Sequence, residues 1–169
     1  MSGTDRLLGR GLVIKEGYGP WAVVTGASSG IGRETAVQLA GAGMNLLLVA
    51  RRGLLLQDLA GELSRSTGVL VKTLVLDLSR ESATAELIAA TEDIDVGLYV
   101  GAAGFGSSGL FIDSTVDREK DMIMVNCLAV LTQTHHFARR FAKRGSGGLV
   151  LMGSLVGFQG APLAGHYAA

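Results

Sequence analysis

Thr25-Gly26-Ala27-Ser28-Ser29-Gly30-Ile31-Gly32 decides the fold of this 169-residue chain. It follows an apolar stretch at 21–24 and opens a helix-like pattern over 33–42. A strand, a glycine turn and a helix start form the context in which such a run binds a dinucleotide. Each glycine has a physical task. Gly26 turns the chain sharply off the strand, Gly30 clears a side chain where the backbone meets a pyrophosphate, and Gly32 lets the helix pack close to the strand. The free N–H groups and the dipole at that helix terminus attract phosphate. Ser28, Ser29 and Ile31 fill the loop between the glycines and count with them as candidate cofactor contacts.

Beyond this run the pattern alternates. Apolar runs at 21–25, 45–50, 69–76, 96–100 and 148–152 read as strands. Helical patterns at 31–42, 54–66, 81–91 and 117–144 lie between them. The second helix carries Leu55, Leu59 and Leu63 four apart, and the last is apolar at Met124, Leu128, Leu131 and Phe137. Such alternation predicts parallel strands with right-handed crossovers, hence an α/β, Rossmann-type doubly wound sheet. Residues 1–20 read as an irregular arm and 21–169 as one nucleotide-binding domain. In this architecture ligands lie beyond the carboxyl ends of the strands, where the informative loops fall.

Composition narrows the function classes. Lys plus Arg and Asp plus Glu are 15 each, which gives no bulk electrostatic case for nucleic acid or an anionic membrane. A hydrophobic content of 48% argues against disorder. Cys127 is the single cysteine, read as a buried thiol, and an internal disulfide is excluded. No signal-peptide h-region and no membrane-length apolar run are apparent, which predicts a cytoplasmic protein. His135 and His136 are adjacent on a helix and point about 100° apart, so no metal site is expected.

Three further loops carry candidate contacts. Arg51 and Arg52 directly follow the second strand, where an acid would bond a ribose 2′-hydroxyl and a guanidinium suits a 2′-phosphate. NADP(H) is therefore the expected cofactor, with Arg51 the favoured contact; a solvated charge pair is the alternative. Asp77, in Leu76-Asp77-Leu78, lies at a strand end and is a helix N-cap candidate. Gly101-Ala102-Ala103-Gly104 is a small-residue turn after the fourth strand. Asn126 sits in an apolar helix face and needs a polar partner. Ser154 ends the fifth strand, and Tyr167 follows 13 residues later.

Together these motifs resemble the short-chain dehydrogenase/reductase family over about residues 20–169. The resemblance implies hydride transfer between a ketone and a secondary alcohol. Ser154 would donate to the carbonyl oxygen, Tyr167 would exchange its proton, and Asn126 would hold a relay water. Ala102, Ala103 and Gly104 would pass beneath the cofactor, and Asp77 would meet the adenine amino group as an alternative or addition to its N-cap role, with Leu78 a further cofactor contact beside it. The family's usual asparagine after the fourth strand is replaced by Gly101, which is expected to loosen the sheet there. Its Tyr-x-x-x-Lys signature begins at Tyr167, but the lysine would fall at position 171. The reading is thus a C-terminally truncated, incomplete sheet with little activity of its own. The alternatives are a non-catalytic NADP(H)-binding module or a nonfunctional fragment, and a family-like homo-oligomer is expected only with the C-terminal region present. Tyr18-Gly19-Pro20-Trp21, Gly43-Met44-Asn45-Leu46 and Asp95-Val96-Gly97-Leu98 resemble the 3-ketoacyl-CoA reductase and 17β-hydroxysteroid dehydrogenase branch.

Overall fold

The computed structural model describes residues 15–169. Most of the arm expected over 1–20 lies outside the described residues. Five strands form one parallel sheet: β1 (Trp21–Thr25), β2 (Asn45–Ala50), β3 (Val71–Val75), β4 (Val96–Gly101) and β5 (Gly148–Leu151). Their order is β3-β2-β1-β4-β5. The helices are α1 (Gly30–Gly41), α2 (Gly53–Thr67), α3 (Ala83–Ala89), α4 (Val116–Ile123), α5 (Val130–Arg144) and α6 (Gly165–Ala168). The sheet order reverses direction at β1, so the loops after β1 and β4 open a crevice between them.

Strand alternation divides the core. Ala22, Val24, Leu46 and Leu48 pack with Ala36 and Ala40 of α1 and Leu56, Leu59 and Leu63 of α2. Trp21, Val23, Leu47, Val49 and Tyr99 point the other way, onto Leu87 of α3 and Phe137 and Phe141 of α5. With both faces covered, the central strands read as continuous apolar runs. Tyr99 and Phe137 stack with centroids 4.8 Å apart. The Tyr99 hydroxyl donates to Gln133 Oε1 at 2.7 Å, so this phenol is buried but partnered.

The helix expected over 117–144 differs in detail. Between α4 and α5 the segment Met124–Ala129 adopts a π-helical turn. The extra residue changes the angular register, so the buried face is Met122, Val125, Ala129, Gln133, Phe137 and Phe141. Leu128 and Leu131, expected in the core, face outward, as does Leu55 of α2, whose place Leu56 takes. Cys127 is also exposed rather than buried, because it lies on the outward side of the same turn. A helix apolar on two sides does not reveal which side meets the sheet. Strands β3 and β5 are the sheet edges and are shorter than their apolar runs.

Candidate active site

The first βα turn is built as the glycine run predicts. Gly26 has φ +68°, the left-handed region that glycine enters without steric cost. A Cβ there would lie 2.7 Å from Ala102 O, so the first loop and the β4 loop touch backbone to backbone. A Cβ on Gly32 would lie 2.5 Å from Gly26 O, which is how closely α1 sits on the turn. A Cβ on Gly30 would meet nothing within 4 Å and would point into open space. The turn is thus tight on its protein side and clear on the other.

That clear side is a cleft of about 390 Å³ at the carboxyl edge of the sheet. Its lining includes Gly26, Ser28, Ser29, Gly30, Ile31 and Gly32 from the β1 turn. Arg51 and Arg52 line it after β2, and Asp77 and Leu78 after β3. Ala102, Ala103 and Gly104 line it after β4. Residues from four separate loops therefore converge on one concave surface. Val49, Ala50, Leu76, Phe105 and Val125 also line it, and periodicity gave no reason to separate them from the core. A glycine cradle without side chains, a helix N-terminus and two guanidinium groups fit an extended nucleotide carrying phosphates.

The polar groups of the cleft are already oriented. The Arg52 guanidinium donates to Ser28 Oγ from Nε at 3.1 Å and from Nη2 at 2.9 Å, and reaches Ser29 Oγ as well. Arg52 is thereby drawn over the glycine turn, while Arg51 lines the same cleft beside it. Asp77 Oδ1 accepts from the Ser79 N–H at 3.1 Å and from its hydroxyl at 3.0 Å, a local turn bond. Asp77 still contributes to the cleft wall, so the two uses are compatible.

Thr25, which the sequence reading left among the apolar strand residues, fastens the floor. Its buried Oγ1 accepts from the N–H groups of Ala102 and Ala103 at 3.1 and 3.2 Å and donates to Val100 O at 3.4 Å. Beside Gly101, β1 and the β4 loop are tied through this hydroxyl. A hydroxyl at the end of an otherwise apolar strand was the available signal.

Asn126 lies inside the π-helical turn, and its side chain bonds the backbone of Phe105. Oδ1 accepts from the Phe105 N–H at 3.1 Å and Nδ2 donates to Phe105 O at 2.8 Å. The amide clamps the β4 loop. Ser154 begins the turn after β5, and its Oγ accepts from the Val156 N–H at 3.3 Å. Tyr167 lies on α6, its ring against Gly106, where a Cβ would come within 3.3 Å of ring Cγ. Asn126 and Tyr167 thus reach the β4 loop from two sides, beyond the end of the cleft that Gly104 and Phe105 form. The hydrogen bonds among the described residues include none between Ser154 and Tyr167.

The pattern of the short chain dehydrogenase family matches residues 20–169. The chain belongs to the short chain dehydrogenase family. The chain is 34% identical over 156 residues to the 7β-hydroxysteroid dehydrogenase of Collinsella aerofaciens, covering 92% of this chain and 59% of that protein. It is 35% identical over 153 residues to a very-long-chain 3-oxoacyl-CoA reductase of Laccaria bicolor, covering 88% of this chain and 45% of the relative. Among solved structures, the short-chain dehydrogenase of Sphingobium yanoikuyae in complex with NADPH superposes with a TM-score of 0.84 at 36% identity. That match covers 88% of this chain and 59% of the other. The chain therefore spans about three fifths of the length of several relatives it matches. As a member of this oxidoreductase family it has the cleft of a nicotinamide-cofactor binder.

Among the described residues no helix is long and apolar enough to cross a membrane. Nor do three or more His, Cys, Asp or Glu side chains among them converge as a metal site.

Proposed function

We propose that the protein containing this chain is an NADP(H)-dependent oxidoreductase that interconverts a ketone and a secondary alcohol. The observation that carries the proposal is the convergence of the glycine cradle with Arg51 and Arg52 on one cleft, next to a loop held by Asn126 and overlain by Tyr167. A bound nicotinamide supplies or accepts the hydride. The chain's own groups do the rest. The β1 turn and the α1 N-terminus hold the pyrophosphate, while Ala102, Ala103 and Gly104 form a flat floor beneath the cofactor. Asp77 and Leu78 flank the adenine. Ser154 donates a hydrogen bond to the substrate oxygen as negative charge builds there. Tyr167 delivers a proton to that oxygen in reduction and removes it in oxidation. Asn126 fixes the loop on which the reacting ring rests.

Selectivity for NADP(H) comes from the two arginines. Their guanidinium groups would hold a 2′-phosphate by charge-assisted bonds, with the Ser28 and Ser29 hydroxyls orienting Arg52. Replacing Arg51 and Arg52 with Ala should remove about 1–3 kcal/mol from NADPH binding and leave NADH binding almost unchanged. Titration calorimetry measures both, and equal affinities of the unaltered protein for the two cofactors would refute the assignment.

A hydrophobic ketone, such as a steroid ketone or a 3-oxoacyl thioester, is the proposed substrate class. Its support is the likeness to a hydroxysteroid dehydrogenase and a 3-oxoacyl-CoA reductase. A panel of NADPH-dependent reductions by the whole protein tests it, and activity confined to small polar sugars would count against it. The 169 residues taken alone should bind NADPH and turn over slowly, since the lysine paired with Tyr167 in the family resemblance is not among them. NADPH binding by the whole protein without any turnover would favour a nucleotide-binding module instead.

A further inference from the structure

Glu119 is a charged residue that the fold buries, with 7% of its surface exposed. A buried carboxylate is costly unless it is paired. Its partner is His166, whose Nδ1 meets Glu119 Oε2. An ionised carboxylate can only accept, so Nδ1 carries the hydrogen and donates. Ser107 Oγ donates to the same Oε2 at 3.5 Å. The hydrogen bond from His166, working against burial, holds Glu119 below the usual carboxylate range. One carboxylate on α4 thereby joins the loop after β4 to the segment that carries Tyr167.

That segment needs such a tether. The α6 helix is only four residues long, Gly165–Ala168, and a helix this short has no stability of its own. Leu163, just before it, has φ +62°, a left-handed conformation that L side chains avoid. Strained backbone of this kind persists where surrounding contacts over-determine it. Those contacts are present. The Gly109 N–H donates to Leu163 O at 2.8 Å, and the Tyr167 ring lies over Gly106. The Glu119–His166 pair is the side-chain member of this set and sits immediately beside Tyr167 in sequence.

We infer that Glu119 and His166 are positioning residues that hold the Tyr167 segment against the β4 loop, setting where the tyrosine hydroxyl meets the substrate oxygen. The inference rests on the proton-donor role assigned to Tyr167 above. Neither residue touches the reacting atoms, so their effect passes through the placement of Tyr167.

The test uses the whole protein and the variants E119A, H166A and H166N. Hydrogen exchange followed by mass spectrometry reads the segment directly, without need of turnover. E119A and H166A should speed exchange of peptides within 160–169 at least tenfold, with peptides in 21–50 unchanged. H166N can still donate an N–H from near the Nδ1 position and should retain most of the protection. NADPH affinity should stay within twofold in all three. For ketone reduction, kcat should fall at least tenfold in E119A and H166A with KM within threefold. The double variant E119A/H166A should be no worse than either single one, because both remove the same contact. Unchanged exchange over 160–169, independent multiplicative losses in kcat, or H166N behaving as H166A would each overturn the inference. A whole protein that reduces no ketone would refute the functional reading instead, and the exchange arm would still decide whether the pair holds the segment.

Discussion

Replacing Thr25 with Val tests how the floor of the cleft is held. Valine has nearly the shape of threonine, so the change removes a hydroxyl and leaves no cavity. In the native fold that hydroxyl is 1% exposed as part of Thr25 and serves two N–H donors, at Ala102 and Ala103. Each donor left without an acceptor costs about 1–3 kcal/mol. Ala102 and Ala103 are only partly buried, so water can rescue some of the loss and the lower half of the range applies. The expected destabilisation is roughly 2–4 kcal/mol. With a urea m-value of about 2 kcal/mol/M for a domain of this size, the unfolding midpoint should drop by about 1–2 M. Thr25→Ser keeps the hydroxyl and loses one methyl, which costs about 1 kcal/mol. The assay is paired urea denaturation and NADPH titration of both variants. Val should be less stable than Ser and should bind NADPH several-fold more weakly, because the 102–104 loop shifts. A Val variant at least as stable as Ser, with native NADPH affinity, would refute the claim that this hydroxyl ties β1 to the β4 loop.

Four other outcomes follow from the same geometry. Gly32→Ala places a Cβ 2.5 Å from Gly26 O and 3.1 Å from Thr25 O; both are backbone atoms, so the turn must move and NADPH affinity should fall at least tenfold by calorimetry. Gly61→Ala, in α2 with nothing within 4 Å of the new methyl, should instead stabilise the fold by about 0.5–1 kcal/mol in thermal unfolding. Burial raises the Tyr99 pKa to about 12, outweighing a hydrogen bond with Thr25 that lowers it. Because the folded value exceeds the unfolded value of about 10, this contribution is intact below pH 10 and is lost as pH rises through about 12. The unfolding free energy from urea titrations should therefore decline above pH 10, by roughly 2–3 kcal/mol at the upper limit, and Tyr99→Phe should flatten that decline. Asn126→Ala removes both bonds to Phe105 and should lower kcat of the whole protein more than it raises KM for NADPH, as steady-state kinetics would show.

While the strand order came from the structure, the sequence by itself determined the parallel, doubly wound sheet and the cofactor cleft. These are local properties. Continuous apolar runs separated by helical periods specify buried parallel strands, and loops at the carboxyl ends of adjacent strands must meet. The glycine run, Arg51, Arg52, Asp77 and the 101–104 turn therefore converge without any knowledge of side-chain packing. Only the tertiary structure decided the rest. Which side of the helix after Thr115 faces the sheet depends on the π-helical turn, and that turn contains Asn126, whose partner Phe105 is 21 residues away. The same register exposes Cys127, Leu128 and Leu131. The choice between Arg51 and Arg52 over Ser28 and Ser29 required the distance between two loops, since both side chains reach the same region from sequence alone. Glu119 and His166 are separated by 47 residues, and each reads singly as an ordinary surface group. A pairing of that kind leaves no trace in periodicity or spacing, because it exists only where the folded sheet brings α4, the β4 loop and α6 together.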